Sequence, residues 1–279
     1  MNSKAPYGVD DLLYLMRRLR DPETGCPWDL KQNYQSITPS TLEEAYEVVD
    51  AIERKDYPHL REELGDLVFQ AIFYSQLAAE EKRFDFADVV DALVTKLIRR
   101  HPHVFQDGTL YGQIESSQLT QANVNHNWEA IKQQERTQKG AEGVLADVPL
   151  ALPAITRAVK LQKRAARIGF DWPDVKGVMM KLLEEMRELD TALAAADPAE
   201  IEAEVGDLLF TCVNLARHLR VDPESALRAT NNKFVARFQL MERTAEREGN
   251  ILSLLPQEEL ERLWQQAKLT ESVSETDRS

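Results

Sequence analysis

Apolar residues recur at three- and four-residue spacing in segment after segment of this chain, and no segment alternates with a period of two over the length of a strand. The pattern predicts an all-α protein, and start and stop signals divide it into helices. A first helix covers about Asp10 to Arg20 and ends before Pro22. A second is expected to start near Ser40, where Ser40 and Glu43 have the spacing of a capping box, and to reach about Lys55. Pro58 opens a third helix to about Lys82, with Leu60, Leu64, Leu67, Val68, Ala71 and Ile72 as its expected core stripe. Asp85 caps a fourth, which ends near His101 because Pro102 follows.

The next stretch, Gln106 to Asn127, is polar and weakly periodic, and is the expected mobile segment; a short helix from Trp128 to Gln138 follows. Gly140, Gly143, Pro149 and Pro153 then mark a linker. Beyond it helices are expected at about Pro153–Arg167, Asp174–Ala196, Pro198–Arg220, Pro223–Glu248 and Pro256–Leu269. Asp197, Pro198 and Glu200 supply a second capping signal. The reading is two tandem helical-bundle domains, residues 1–138 and 153–269, joined by a linker at 139–152 and followed by a frayed tail at 270–279.

Composition narrows the partners. Acids outnumber bases by 47 to 34, a net charge of −13, which argues against a nucleic-acid polymer as ligand because phosphate neutralisation needs a basic surface. A local basic pocket for one small phosphate compound is still compatible. No apolar run has the length of a membrane span or a signal-peptide core, so a cytoplasmic protein is expected. Cys26 and Cys212 are too few for a disulfide framework or a thiolate metal site and are expected to pack as small apolar residues.

The acids themselves repeat. Glu43, Glu44, Glu47, Glu63 and Asp66 recur 141 positions later as Glu184, Glu185, Glu188, Glu204 and Asp207, and Glu63-Leu64-Gly65-Asp66 answers Glu204-Val205-Gly206-Asp207. A register kept over five acids marks a duplicated domain. Residues three apart share a helix face, so Glu44 with Glu47 and Glu63 with Asp66 each present two carboxylates side by side. If the two helices pack antiparallel across the turn at 55–58, four carboxylates converge and need a cation among them. All-oxygen ligands select Mg²⁺ or Mn²⁺ over Zn²⁺ or copper. A di-iron bundle would call for Glu-x-x-His pairs, which are absent. The competing explanation is a solvated acidic face, with Glu43 serving the Ser40 cap. Gly65 and Gly206 weigh against it, because a mid-helix glycine costs about 1 kcal/mol relative to alanine and calls for a close approach of a helix or ligand.

A second constellation repeats on a slightly shorter offset. Lys96 and Arg100 recur as Lys233 and Arg237, and Trp128 with Lys132 recurs as Trp264 with Lys268. Cations four apart on a helix repel, so a shared anionic ligand explains them better than a snorkelling basic face does. Trp offers a face for a stacked base, or a core contact. Acids that hold metal beside a few cations and an aromatic ring describe a site for a metal-chelated polyphosphate bearing a base. No glycine-rich phosphate loop is present to do this differently. The residues alone lead to Mg²⁺-dependent nucleotide hydrolysis without saying which phosphorus is attacked.

The order Glu-Glu-x-x-Glu then Glu-x-x-Asp on adjacent helices resembles the MazG family of nucleoside triphosphate pyrophosphohydrolases. Gly25-Cys26-Pro27-Trp28-Asp29, and Lys163-Arg164 leading to Gly169-Phe170-Asp171-Trp172, are similar to its long tandem form. The resemblance implies an all-α homodimer that uses Mg²⁺ to cleave NTPs and dNTPs between the α and β phosphates. It implies Glu185, Glu188, Glu204 and Asp207 as metal ligands of the second domain, with Glu184 a supporting carboxylate. Lys181, Lys233, Arg237, Trp264 and Lys268 would join Glu185, Glu188 and Asp207 in binding nucleotide. Glu44, Glu47, Glu63 and Asp66 would form a second possible metal site, but Ser40 stands where the 141-residue offset places Lys181, so the second domain is expected to be the active one.

Overall fold

The computed structural model describes residues 6–112, 131, 135 and 143–276, with side chains described as far as Thr270. These residues form ten α-helices and one short 3-10 turn, with no strand among them. The all-α expectation holds. None of these helices is long and apolar enough to cross a membrane. The chain divides into two compact units, residues 1–135 and 136–279. Most of the polar stretch and of the short helix at Trp128–Gln138, including Trp128 and Lys132, lies outside the described residues.

The first unit contains α1 (Val9–Leu19), α2 (Pro27–Lys31), α3 (Tyr34–Glu53), α4 (Tyr57–Glu80) and α5 (Phe86–Arg100). Helices α3 and α4 form its most extensive packing pair. The start of α3 corrects the expected one. The cap is Asn33, whose Oδ1 accepts from the backbone N–H groups of Gln35 and Ser36, and Pro39 lies inside the helix. Proline more often opens a helix than interrupts one, which is why the sequence places the start after Pro39. Ser40 therefore caps nothing, and the structural excuse for Glu43 disappears. Helix α2, too short to show periodicity, is an addition. It follows Gly25, where any Cβ would lie 2.5 Å from the carbonyl oxygens of Leu19 and Asp21.

The expected core stripe of α4 also needs correction. Leu64 and Val68 are each 46% exposed, whereas Glu63, Gln70, Ile72, Phe73, Ser75, Leu77 and Ala78 are buried. The helix is rotated so that Glu63 turns inward towards α3. Met16, Ile37, Ile72, Phe73 and Leu77 form the core below it. Arg20, also buried, grips Glu80 through Nε at 2.8 Å and Nη2 at 2.7 Å and lies 5.4 Å from the centre of the Phe73 ring.

The second unit contains α6 (Ala154–Arg167), α7 (Val175–Ala195), α8 (Pro198–His218), α9 (Pro223–Arg247), the 3-10 turn Leu252–Leu254 and α10 (Gln257–Thr276). Asp174, Asp197 and Asp222 cap α7, α8 and α9 by accepting backbone N–H bonds at 2.9–3.0 Å, and prolines sit in the first turns of α8 and α9. The last helix runs past Leu269, where the periodicity places its end. Helices α7 and α8 are the most extensive pair here, as their counterparts are in the first unit. Their turn repeats too: Lys55 and Ala196, 141 positions apart, both adopt left-handed backbone, with φ of 58° and 55°. Met241, Ala245, Leu263 and Ala267 hold α9 against α10. Cys26 is half-buried as a small packing residue, but Cys212 is exposed on α8 and does not pack as expected.

Candidate metal and nucleotide site

Each acidic hairpin gathers part of its expected carboxylate set. In the second unit α7 supplies Glu185 and Glu188 and α8 supplies Glu204, with one carboxylate oxygen of each within 4.8 Å of the others. In the first, α3 supplies Glu44 and α4 supplies Glu63 and Asp66 to an equivalent group. Asp207 and Glu47 fall outside these two groups, yet both act on them electrostatically. Asp207 helps to raise the proton affinity of Glu204, and Glu47 shares a hydrogen bond with Glu63. Glu184 lies beside the second group, joined to Lys181 at 2.9 Å.

Burial and mutual repulsion set the charge state of these groups. Burial pushes the Glu204 carboxyl above the ordinary glutamate range, and Glu188, Glu185 and Asp207 push it further. Burial does the same to Glu44 and Glu63, helped by their acidic neighbours, while His59, 3.1 Å from Glu63, works in the other direction. Residue 200, at the matching position of the second unit, is glutamate. There the nearby cation is Lys181, with Nζ 2.9 Å from Glu184, 3.0 Å from Glu185 and 3.9 Å from Glu188.

The donor set fits a hard divalent cation. Every ligand candidate is a carboxylate oxygen, and Oε2 of Glu204 is buried with no hydrogen-bond partner. A buried anionic oxygen left unpartnered is costly unless something positive completes it. Gly65 and Gly206 bear on the same point, since a Cβ at either position would meet nothing within 4 Å. Close packing by the chain's own described helices is therefore not what selects glycine between the paired acids.

The basic and aromatic candidates form a second group on α9 and α10. Arg237 lies 5.6 Å from the centre of the Trp264 ring, and the Phe234 ring meets it at a tilt of 50° with the ring centres 5.4 Å apart. Trp264 also packs against the α9–α10 core, one of the two roles that the sequence left open for it. Lys233 is exposed one turn from Arg237, and Lys268 is half-buried one turn beyond Trp264. In the first unit the counterpart Arg100 is engaged with Glu135, whose carboxyl is pulled down to about 2 by Arg100 and Arg99.

One set of contacts escaped the sequence reading. Asp171 accepts from both terminal guanidinium nitrogens of Arg217 and lies 3.0 Å from Nε2 of His218. This ties the loop between α6 and α7 to the far end of α8. The adjacent Trp172 ring occupies the space beside Gly177, where a Cβ would come within 2.9 Å of it. Asp171 and Arg217 are 46 residues apart, and nothing local in the sequence pairs them.

A hairpin of helices carrying paired carboxylates, repeated in tandem, with cations and an aromatic ring on the following helices, is the arrangement of an all-α hydrolase acting on nucleotides. The MazG nucleotide pyrophosphohydrolase domain matches this chain twice, at residues 32–105 and 174–239. The chain is 49% identical over 265 residues to the nucleoside triphosphate pyrophosphohydrolase of Escherichia coli strain K12, covering 94% of this chain and 98% of that protein. It is 44% identical over 259 residues to the nucleoside triphosphate pyrophosphohydrolase/pyrophosphatase MazG of Thermotoga maritima, covering 93% and 95%. A crystal structure of a MazG-related protein from Thermotoga maritima matches 45% of this chain and 99% of that one, with 25% identity and a TM-score of 0.36. This chain belongs to the MazG family of nucleotide pyrophosphohydrolases.

Proposed function

We infer that this protein hydrolyses nucleoside and deoxynucleoside triphosphates between the α and β phosphates, releasing the monophosphate and pyrophosphate, and that turnover occurs in its second half. Family membership carries the reaction class. The observation that carries the placement is the ammonium of Lys181 among the carboxylates of α7, set against Ser40 in α3. Glu185, Glu188 and Glu204, with Asp207 one turn along α8, would hold Mg²⁺ or Mn²⁺. The bound ion supplies Lewis acidity towards the phosphoryl oxygens.

The chain's own side chains supply the rest. Lys181, Lys233 and Arg237 neutralise phosphate oxygens and favour the charge that develops on them in the transition state. Trp264 offers its ring to the base, with Arg237 fixing it from one side. Glu184 holds the ammonium of Lys181 in position, and Lys268 extends the basic rim. In the first half the Glu44, Glu47, Glu63 and Asp66 set serves as a second metal site without this lysine.

A homodimer working on free nucleotides in the cytoplasm completes the reading. Leu183 and Met186 of α7 and Val205 and Leu209 of α8 are 40–61% exposed, an apolar surface on the acidic hairpin suited to a second copy. The acidic surplus favours single nucleotides over nucleic acid as substrate. The test incubates the protein with Mg²⁺ and each NTP and dNTP and measures pyrophosphate separately from orthophosphate. Pyrophosphate in equal amount to the monophosphate is expected. Orthophosphate alone would overturn the assigned bond, and neither product from any substrate would overturn the activity.

A further inference from the structure

The two carboxylate groups differ in a respect that the repeat makes visible: a lysine ammonium sits among the acids of the second, where the first has only the His59 imidazole beside Glu63. Residues 181, 184, 185 and 188 occupy one face of α7, and the Lys181 ammonium lies within 3.9 Å of all three glutamates. Two of these, Glu185 and Glu188, belong to the group that Glu204 completes. In α3 the same face carries Ser40, Glu43, Glu44 and Glu47, and a hydroxyl cannot balance their charge. We propose that Lys181 is a tethered counter-cation of the second carboxylate group: it weakens that group's hold on a divalent ion until a nucleotide's phosphates draw the ammonium away. The first group, with Ser40 in its place, binds a divalent ion more tightly on its own. This rests on the reading of the carboxylates as a metal site.

Three observations support it. The ammonium, 3.0 Å from an oxygen of Glu185, and a divalent ion on that side chain compete for one carboxylate and repel each other. The four-carbon stem of Lys181, its side chain 31% exposed, gives the ammonium room to leave without disturbing the buried Glu185. Charge also differs between the groups in the expected sense. Lys181 offsets part of the repulsion on Glu204, while on the matching Glu63 the opposing group is His59, an imidazole that is charged only when protonated. Metal and triphosphate then strengthen each other's binding in the second half, and by linkage the effect is reciprocal.

The experiment titrates the full-length chain with Mn²⁺, reading free ion by electron paramagnetic resonance and heat by calorimetry. Glu44→Gln/Glu63→Gln silences the first group so that the second is read alone, and Glu185→Gln/Glu204→Gln does the converse. In the first background, adding Lys181→Met is expected to tighten Mn²⁺ about tenfold, the effect of one partly screened charge-assisted contact. In the second, adding Ser40→Lys is expected to weaken it about tenfold. An α,β-methylene triphosphate, with its own Mn²⁺ complex counted in the mass balance, should tighten Mn²⁺ at the second group several-fold in the presence of Lys181 and hardly at all in Lys181→Met. Far-ultraviolet circular dichroism checks that each variant is folded. Affinities within twofold of each other in both lysine comparisons overturn the proposal and leave the metal-site reading standing. No saturable Mn²⁺ binding at the second group, with or without Lys181 and nucleotide, overturns both.

Discussion

Replacing Asp171 by asparagine removes one charge from the clamp that joins the α6–α7 loop to the end of α8. Asp171 is held at about 2, against an ordinary value of 3.8, chiefly by the hydrogen bonds from Arg217 and then by His218. A carboxyl depressed in the folded state contributes stability at pH values above its ordinary range and loses it as the pH falls through 3.8 towards 2. The difference between the two values sets a ceiling of about 2.4 kcal/mol. The Asp171 side chain is 23% exposed and that of Arg217 13%, so screening by solvent lowers the expected contribution to about 1.5 kcal/mol. Urea unfolding of Asp171→Asn and of the natural chain at pH 7, followed by tryptophan fluorescence, should show that loss. At pH 3 about half of it should remain. Arg217→Gln in a double-mutant cycle should give a coupling energy of about 1 kcal/mol or more. A loss that is the same at pH 7 and pH 3, or no coupling with Arg217, would refute the argument that the charged clamp secures this loop.

Further outcomes follow from the same geometry. Glu188→Gln and Asp207→Asn should each lower pyrophosphate release by more than about a hundredfold, whereas Glu47→Gln should leave it within about threefold; equal losses would place turnover in the wrong half. Glu44, Glu63 and Glu204 bind protons more tightly in the folded state. Their contribution therefore falls as the pH rises above the ordinary glutamate range of about 4.5, and without divalent ions the melting temperature should decline as the pH is raised from that range. Millimolar Mg²⁺ should remove that decline, and EDTA should restore it; a flat profile under both conditions contradicts the electrostatic account. Arg20→Ala leaves Glu80 without its bidentate partner and opens space beside Phe73, so unfolding of the first unit should become easier by about 3 kcal/mol. Denaturant titration read at residues of the first unit checks this.

The legibility of the chain follows the range of the interactions concerned. Long helices with Asp caps and first-turn prolines, such as α8 with 21 residues and α9 with 25, are specified within one or two turns, and their bounds are legible nearly to the residue. Helix α3 was misread at its start because a proline inside a helix is tolerated only when tertiary packing holds the turn around it. The stripe of α4 was misread for a related reason. Leu64 and Val68 look like core, but α4 is rotated to bring Glu63 towards α3, and these two side chains are left on the outside.

By itself the sequence determined the duplication, the paired acids and the substitution of Ser40 for Lys181. These are patterns of spacing, and a helix converts spacing directly into a shared face. Only the tertiary structure decided which acids meet. Glu185, Glu188 and Glu204 come together, as do Glu44, Glu63 and Asp66, because each group depends on the rotation and offset of two packed helices. It also decided that Lys181 turns towards the acids on its own helix, and that Asp171 reaches Arg217 across 46 residues. Contacts of that kind depend on where separate elements come to rest, and helical periodicity carries no record of it.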